Sequence, residues 1–321
     1  MASIIKQVDM CVREIDRIGV SKKEARKQGL KAIHSHKTKK EVLKIGKQFA
    51  RWGRENYGIR NLHEFQEKHY IAFLDSKHDT TLDYRRSIET HLRLIQEGLN
   101  KRSDRFGKER AVFVPEKRLI ESRGRLEGVS NRSYSEKDVQ AIKGRVAPST
   151  ARSVALMRNL GLRVSESVGI RVEHVQERFV RIQDDTITKG GRDRVIPIPE
   201  SFKAELKEMC RGKAENERLV PLSAGTVMND VTAACRHLKI KSNGTHGFRH
   251  SYARERVGQL MTPAEKTLFS SCMDRYAENK NFDYGVHNRE LYESMKSKMD
   301  QVHSELGHGR DRFDLAVRYM K

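Results

Sequence analysis

Apolar residues recur at three- and four-residue intervals along much of the chain, which is the spacing of one face of a helix. The stripe that begins near residue 38 consists of Val42, Ile45, Phe49 and Trp52. Two more stripes run from Leu62 to Leu74 and from a capping Asp79 or Thr80 to Leu99. No alternating strand pattern interrupts them, so residues 35–102 are predicted to form an all-α domain.

The flanking segments have a different pattern. Residues 1–34 combine a short amphipathic helix from Ser3 to Ile18 with a run of lysines and arginines, which predicts a basic helical arm. These basic residues are equally consistent with contact with DNA and with a solvent-exposed face. Residues 103–132 contain many basic residues, Pro115 and several glycines without a long apolar stripe, and are predicted to be a basic linker.

Residues 133–321 are predicted to form a second domain. Helices are indicated by a capping Ser135, by a stop at Gly161, by the Thr262-Pro263 pair and by Asn288 as the cap of a long helix. Phe179 to Ile182 has strand character, and two β-rich runs flank Gly190-Gly191, which indicates a hairpin. The predicted fold is therefore mainly α with one small antiparallel β-sheet.

The net charge and the spacing of the cysteines limit the classes of protein to which the chain can belong. Among 321 residues, 64 Lys and Arg oppose 43 Asp and Glu, giving a net charge of +21 that favours a nucleic-acid partner. Charge alone also fits a basic structural or membrane-surface protein. Four isolated cysteines and no long apolar run predict a cytoplasmic protein without disulfides, a zinc ribbon or a membrane span.

Residues able to bind a phosphate cluster in GTHGFRHSYARER, residues 244–256. His246 and Arg249 lie three residues apart there, at a predicted helix start. An imidazole, a guanidinium and helix N–H groups are suited to hold a phosphate. In isolation such a pair is more often a basic helix start on a solvated face. Four other candidates share the same chemistry: Arg163, Lys189, His308 and Tyr319.

The segments GLRVSE, TKGGRDRVIPIP, THGFRHSYA and LGHG, followed by a tyrosine, resemble in this order the catalytic pattern of the tyrosine recombinases, the phage-integrase family. The resemblance implies an all-α core-binding domain and an α+β catalytic domain. It implies that Tyr319 attacks a DNA phosphate and forms a 3′-phosphotyrosyl bond without a metal or nucleotide cofactor. The implied catalytic set is Arg163, Lys189, His246, Arg249, His308 and Tyr319.

Individual roles follow from the same resemblance. The two arginines would hold the phosphate oxygens, the two histidines would bind the phosphate or move the tyrosine proton, and Lys189 would protonate the 5′-oxygen. Nearby arginines are expected to depress the pKa of Lys189. Glu166 is expected to brace a helix or an arginine. The His246/His250 pair has a metal-site spacing, but no third ligand is evident.

The resemblance implies double-stranded DNA as the substrate, a homotetramer on DNA, accessory DNA-bending proteins and a place at the nucleoid. A site-specific integrase or excisionase of a mobile element is the leading interpretation. A type IB topoisomerase-like enzyme, a hairpin-sealing resolvase and a catalytically silent DNA-binding protein are the alternatives. The residues predicted to bind DNA outside the catalytic site are Arg85, Arg86, Arg93, Lys101, Arg102 and Arg105.

Three features depart from the family pattern. The segment between Arg249 and His308 is longer than usual, with a predicted helical insert near residues 261–299. Tyr319 lies farther from His308 than is common, and only Met320 and Lys321 follow it. A C-terminal segment that docks into a neighbouring subunit is therefore expected to be missing, with the insert or the N-terminal arm replacing its contact.

Overall fold

The chain divides into two compact units, which are described separately: Met1–Gly124 and Arg125–Lys321. The structure is a computed structural model. It describes, apart from the side chains at positions 22, 23 and 26, residues 2–20, 22–121, 129–183, 193–278 and 287–320. Among these residues, no helix has both the length and the apolar character needed to cross a membrane.

The described part of the first unit is helical. Its helices are α1 (Ile4–Glu14), α2 (Lys22–Lys27), α3 (His36–Tyr57), α4 (Glu67–Asp75) and α5 (Leu82–Arg105). Side-chain oxygens of Ser3, Ser35 and Thr81 accept backbone N–H groups at the starts of α1, α3 and α5. These caps satisfy donors that have no partner within a helix, and they fix where each helix begins.

Two sequence predictions for this unit need correction. The helix expected from Leu62 to Leu74 is a 3₁₀ turn (Leu62–Glu64) followed by α4, because the extended backbone at Gln66 interrupts it. The N–H of Gln66 bonds to Nδ1 of His69, which starts the new helix there. The cap of α5 is Thr81, and neither Asp79 nor Thr80 caps that helix.

The segments predicted as an arm and a linker both contribute side chains to the core of the first unit. From residues 1–34 these side chains include Ile4, Val8, Cys11, Val12, Ile15 and Ile33. From residues 103–132 they are Ala111, Phe113, Val114 and Ile120. Helix α5 also continues to Arg105, past the expected boundary. Burial of these apolar side chains stabilises the unit, so residues 4–33 and 111–120 belong to its packed structure.

The described part of the second unit is mainly helical with one small antiparallel sheet. Its helices are α6 (Glu136–Arg145), α7 (Pro148–Leu160), α8 (Val164–Gly169), α9 (Glu200–Cys210), α10 (Ala224–His237), α11 (His246–Leu260), α12 (Pro263–Ala277), α13 (Arg289–Glu305) and α14 (Phe313–Tyr319). The predicted caps Ser135, Thr262 and Asn288 each accept a backbone N–H at the start of a helix.

Two short strands, β1 (Phe179–Ile182) and β2 (Arg194–Pro197), pair antiparallel, with Phe179 opposite Pro197 and Ile182 opposite Arg194. This pairing confirms the predicted mainly α fold with a small antiparallel sheet. Val180, Ile182 and Ile196 point into the core, as the two-residue period of a strand requires. The connecting residues 184–192, with the predicted turn at Gly190-Gly191, lie outside the described residues.

The region predicted as an insert forms two helices, α12 and α13, that pack against each other. Buried Glu265 at the start of α12 accepts hydrogen bonds from Ser294 and Lys298 of α13, each 2.6 Å long. The core side chains that the two helices supply include Phe269, Cys272, Met273, Tyr292, Met295 and Met299. Because these side chains are buried in the core, α12 and α13 are an integral part of the second unit.

Candidate active site

Arg249 on α11 is at the centre of the site and is fully buried. Its guanidinium donates to the backbone carbonyls of Gly161 and Leu306 and, over 3.2 Å, to Nε2 of His308. Nε of Arg249 has no partner among the described residues. Burial, and then the charge of Arg163, lower the pKa of Arg249 to about 9, so the group stays positive at neutral pH.

Both carbonyls that hold Arg249 lie at the C-terminal ends of helices. Gly161 follows α7 with a left-handed φ of 60°, and Leu306 is the C-cap of α13. Carbonyls at such ends have no partner within their helix and carry partial negative charge. A guanidinium therefore satisfies both ends at once, which gives a buried positive charge a fixed orientation.

Arg163, the N-cap of α8, is held beside Glu166. The fully buried carboxylate accepts the side chain and the backbone N–H of Arg163, both at 2.7 Å, and the side chain of Arg194 at 2.6 Å. Burial acts to raise the pKa of Glu166, but Arg194 and the hydrogen bonds bring it below its usual value. Glu166 thus braces two arginines, as the sequence predicts.

Arg194 on β2 is one of the arginines near Lys189 in the sequence, and it was not assigned to the site from the sequence. Its side chain is 2 % exposed and also donates to the backbone carbonyl of Glu305 over 3.0 Å. The carboxylate of Glu305, in turn, accepts Tyr252 at 2.7 Å and Arg256 at 3.0 Å, both from α11. These ion pairs and hydrogen bonds connect β2, α8, α11 and α13 around Arg249.

Tyr319 at the end of α14 lies among three imidazole rings. Its hydroxyl forms a short hydrogen bond with Nε2 of His246. The ring of His250 stacks on the phenol at 4.3 Å, and the ring of His308 meets it nearly edge-on at 5.2 Å. The phenol is therefore surrounded by polar rings and is partly buried, and it lies beside the Arg249 guanidinium that contacts His308.

Burial keeps these imidazoles neutral. It lowers the pKa of His246 to about 4, helped by the charge of Arg249, and the pKa of His250 to about 3. For His308, burial followed by the charge of Arg249 lowers the pKa to about 2. A neutral His246 has an unprotonated ring nitrogen, which is able to accept the proton of the Tyr319 hydroxyl.

The structure thus brings five of the six predicted catalytic residues into one site: Arg163, His246, Arg249, His308 and Tyr319. Lys189 lies outside the described residues. His250 and a further buried ring, His303, were not assigned to the site from the sequence. His250 lies one helical turn after His246, and this spacing is the signal that would have placed it there. The spacing of His303 from His308 gives no such signal, because the two rings meet only through the turn that ends α13.

Several residues predicted to bind DNA have partners within the first unit. Arg86 donates to the carbonyl of Ile120, and Arg93 donates to the carbonyls of Glu116 and Lys117. Arg102 and Arg105 each form an ion pair with Glu14, at 3.5 and 3.4 Å. Lys101 lies 3.8 Å from Glu97, and the buried Nε of Arg85 has no partner among the described residues.

No group of three or more His, Cys, Asp or Glu side chains in the described residues is arranged to hold a metal ion. His246 and His250 contact each other with ring centroids 5.5 Å apart. Both rings also contact the phenol of Tyr319, so they lie in the candidate active site.

The chain is similar in sequence to a known protein family and to a known protein. Residues 132–257 match the model of the phage integrase family. The chain is also similar to tyrosine recombinase XerA of Pyrococcus furiosus, with 30% identity over 112 residues. That alignment covers 31% of this chain and 38% of the archaeal protein, so the similarity extends over less than half of the relative.

Solved structures show the same fold at low sequence identity. A lambda integrase dimer bound to a COC' core site matches with a TM-score of 0.59 and 14% identity, over 99% of this chain and 77% of that one. A lambda integrase tetramer bound to a Holliday junction matches with a TM-score of 0.58 and 15% identity, over 91% and 81%. The chain is thus similar to the phage integrase family in sequence over residues 132–257 and to the lambda integrase complexes in fold.

Proposed function

We propose that the chain cuts and rejoins double-stranded DNA through a covalent bond between Tyr319 and a 3′-phosphate. One observation carries this proposal: the hydroxyl of Tyr319 is hydrogen-bonded to Nε2 of a neutral His246, beside the buried guanidinium of Arg249. A nucleophile, a proton acceptor and a positive charge therefore share one site. These are the groups that displacement at a phosphodiester requires.

In the proposed cleavage step, the phenol oxygen bonds to phosphorus while its proton passes to Nε2 of His246. The bond from phosphorus to the 5′-oxygen breaks, and that oxygen takes a proton to become a free hydroxyl. Lys189 is our candidate donor of this proton. Negative charge that develops on the phosphate is stabilised by Arg163 and Arg249, which Glu166 and the two helix ends hold in place before DNA binds.

The covalent intermediate keeps the energy of the broken ester in a new ester bond. A 5′-hydroxyl from either the same strand or another strand can therefore attack it and release Tyr319. Attack by the same strand restores the DNA, and attack by another strand exchanges partners. Because the fold is shared with the lambda integrase complexes, we propose site-specific exchange within a homotetramer on DNA as the biological reaction.

The net charge of +21 supports DNA as the substrate, since a strongly positive protein attracts the phosphate backbone. We further propose that Arg85, Arg86, Arg93, Lys101, Arg102 and Arg105 contribute to this attraction and that the protein acts at the nucleoid of the cytoplasm. Integration or excision of a mobile element, assisted by DNA-bending proteins, is the physiological role we assign to it.

A library of nicked duplexes with a randomised region tests the proposal. A nick lets the short 5′-hydroxyl strand diffuse away after cleavage, so that the covalent complex accumulates and runs as a shifted band on a denaturing gel. We expect a band with the wild-type chain and none with Tyr319→Phe, while the exposed Tyr57→Phe serves as the matched control. Sequencing the trapped strands then gives the target site.

The outcomes separate the candidate functions. Enrichment of one sequence among the trapped strands supports site-specific recombination. Trapping of all sequences alike, together with relaxation of supercoiled plasmid, would indicate a type IB topoisomerase-like enzyme. Binding without any covalent band would leave a DNA-binding protein that lacks the cleavage activity, and the enzymatic proposal would be wrong.

A further inference from the structure

His303 is a fully buried residue near the end of α13 that the proposed cleavage step does not use. Its position is set by the way the helix ends. The N–H of His308 donates to the carbonyl of His303 over 2.7 Å, and the N–H of Gly307 donates to that of Ser304 over 2.8 Å. With Gly307 at φ 65°, this is a Schellman motif, which brings the third residue from the helix end beside the second residue after the cap.

In Schellman motifs these two positions frequently make a hydrophobic contact, whereas here both carry an imidazole. Nδ1 of His303 lies 3.3 Å from Nδ1 of His308. The ring centroids are 5.5 Å apart with an interplanar angle of 47°, so the rings do not stack and their nitrogens face each other. A side-chain hydrogen bond thus joins the same two residues that the backbone already joins.

The direction of that hydrogen bond follows from Arg249. A guanidinium has only donors, so Nε2 of His308, which lies 3.2 Å from Nη2 of Arg249, must be the acceptor. A neutral imidazole with an acceptor at Nε2 carries its proton on Nδ1. We therefore assign Nδ1 of His308 as the donor and Nδ1 of His303 as the acceptor.

This arrangement holds the ring of His308 at both of its nitrogens. Nε2 accepts a hydrogen bond from Arg249, and Nδ1 donates to the buried His303 of α13. If the phosphate later causes Nε2 of His308 to be protonated, Nδ1 keeps its proton and its bond to His303. Nδ1 of His303 therefore accepts the hydrogen bond whether the ring of His308 is neutral or an imidazolium. Metal-bound and catalytic histidines are commonly oriented by an acceptor in the same position.

Building on the proposed function, we propose that His303 is a positioning residue for strand cleavage that acts through His308. It accepts the Nδ1 proton of His308 and thereby keeps the opposite nitrogen turned toward Arg249 and the scissile phosphate. The residue itself touches neither DNA nor the reacting atoms.

The first test compares variants on the nicked duplex that carries the selected target sequence. His303→Phe keeps a buried ring but has no acceptor, and we expect it to form the covalent complex about 10- to 100-fold more slowly at saturating DNA, with unchanged DNA affinity. His303→Gln retains an acceptor oxygen and should recover most of the rate. Val302→Ala, at an adjacent buried position, measures the effect of lost packing alone.

A double-mutant cycle with His308→Ala then decides whether His303 acts through His308. In that background His303→Phe should change the rate by less than about twofold, because the ring that His303 positions is gone. An effect of His303→Phe that persists without His308 would overturn the inference. If His308→Ala itself cleaves like the wild-type chain, cleavage does not depend on the ring that His303 positions, and the inference is likewise overturned.

A spectroscopic measurement checks the hydrogen bond without relying on activity. In ¹⁵N-histidine-labelled protein, the signals that disappear in His308→Ala belong to His308. We expect Nδ1 to be the protonated nitrogen of this ring in the wild-type chain and expect its signal to shift in His303→Phe. A wild-type ring protonated at Nε2 would overturn the inference even if DNA cleavage is confirmed.

Discussion

The imidazole of His250 lies almost parallel to the phenol of Tyr319, with ring centroids 4.3 Å apart and planes inclined by 12°. One face of the phenol is thus covered by a ring from α11, while its hydroxyl contacts His246 one turn earlier on the same helix. Because α11 also carries Arg249, a single rigid helix fixes the phenol relative to the guanidinium. Helix α11, which carries the positive charge of Arg249, therefore also positions the hydroxyl of Tyr319.

The first prediction concerns this stack. An aromatic pair contributes about 0.5–1.5 kcal/mol, so His250→Ala should slow covalent-complex formation by up to about 10-fold as the phenol becomes free to turn away. His250→Phe restores a ring and should stay within about threefold of the wild-type rate. Exposed Gln259→Ala on the same helix is the control. Equal rates for His250→Ala and the wild-type chain would show that the stack does not position Tyr319.

The second prediction concerns pH. Burial lowers the pKa values of His246, His250, His303 and His308 to about 4, 3, 4 and 2, below the unfolded value of about 6.5. The unfolded chain therefore binds more protons below pH 6.5. The stability contributed by the neutral rings is complete above that pH and is lost as the pH falls toward the folded values.

At pH 5 each such ring should lower the free energy of unfolding by about 2 kcal/mol relative to pH 7.5. Urea unfolding followed by circular dichroism at the two pH values measures the loss. His303→Gln should reduce the difference by about 2 kcal/mol, and the exposed His237→Gln is its matched control. If His303→Gln leaves the difference unchanged, His303 does not remain neutral in the folded chain.

The third prediction concerns Gly161, whose carbonyl holds Arg249. A side chain at its φ of +60° is strained, and an added Cβ would lie 2.5 Å from Cδ1 of Tyr252. Gly161→Ala should cost about 3 kcal/mol of stability, the sum of backbone strain and overpacking, and should slow cleavage because the carbonyl shifts.

Gly212 provides the matched control for this substitution. It has a similar φ of +70°, but an added Cβ would have nothing within 4 Å. Gly212→Ala should therefore cost only the backbone strain of about 1 kcal/mol and leave cleavage unchanged. Equal costs at the two glycines, measured by urea unfolding, would contradict the packing around Gly161.

Features that depend on local chemistry were predictable from the sequence. The caps Ser135, Thr262 and Asn288 and the left-handed Gly161 lie where predicted, because each acts within one helical turn. The break at Gln66 was not predicted. Its apolar neighbours continue a helical spacing, and a bond to the ring of His69, which no periodicity reveals, interrupts the helix.

The candidate site was predictable only in part for the same reason. Arg163, His246, Arg249, His308 and Tyr319 stand in a recognisable order along the chain. Arg194 has no such pattern, since its role depends on Glu166 and on the carbonyl of Glu305, which lies 111 residues farther along. Contacts between residues so far apart in the chain depend on tertiary packing, and they cannot be predicted from the pattern of a single sequence.

Helix α13 is 17 residues long, so it extends for about 25 Å. One end lies at Asn288 and the other delivers the Leu306 carbonyl and His308 to the site. The buried side chains along α13 therefore hold more than the core: through the Leu306 carbonyl and His308 they also set the orientation of Arg249.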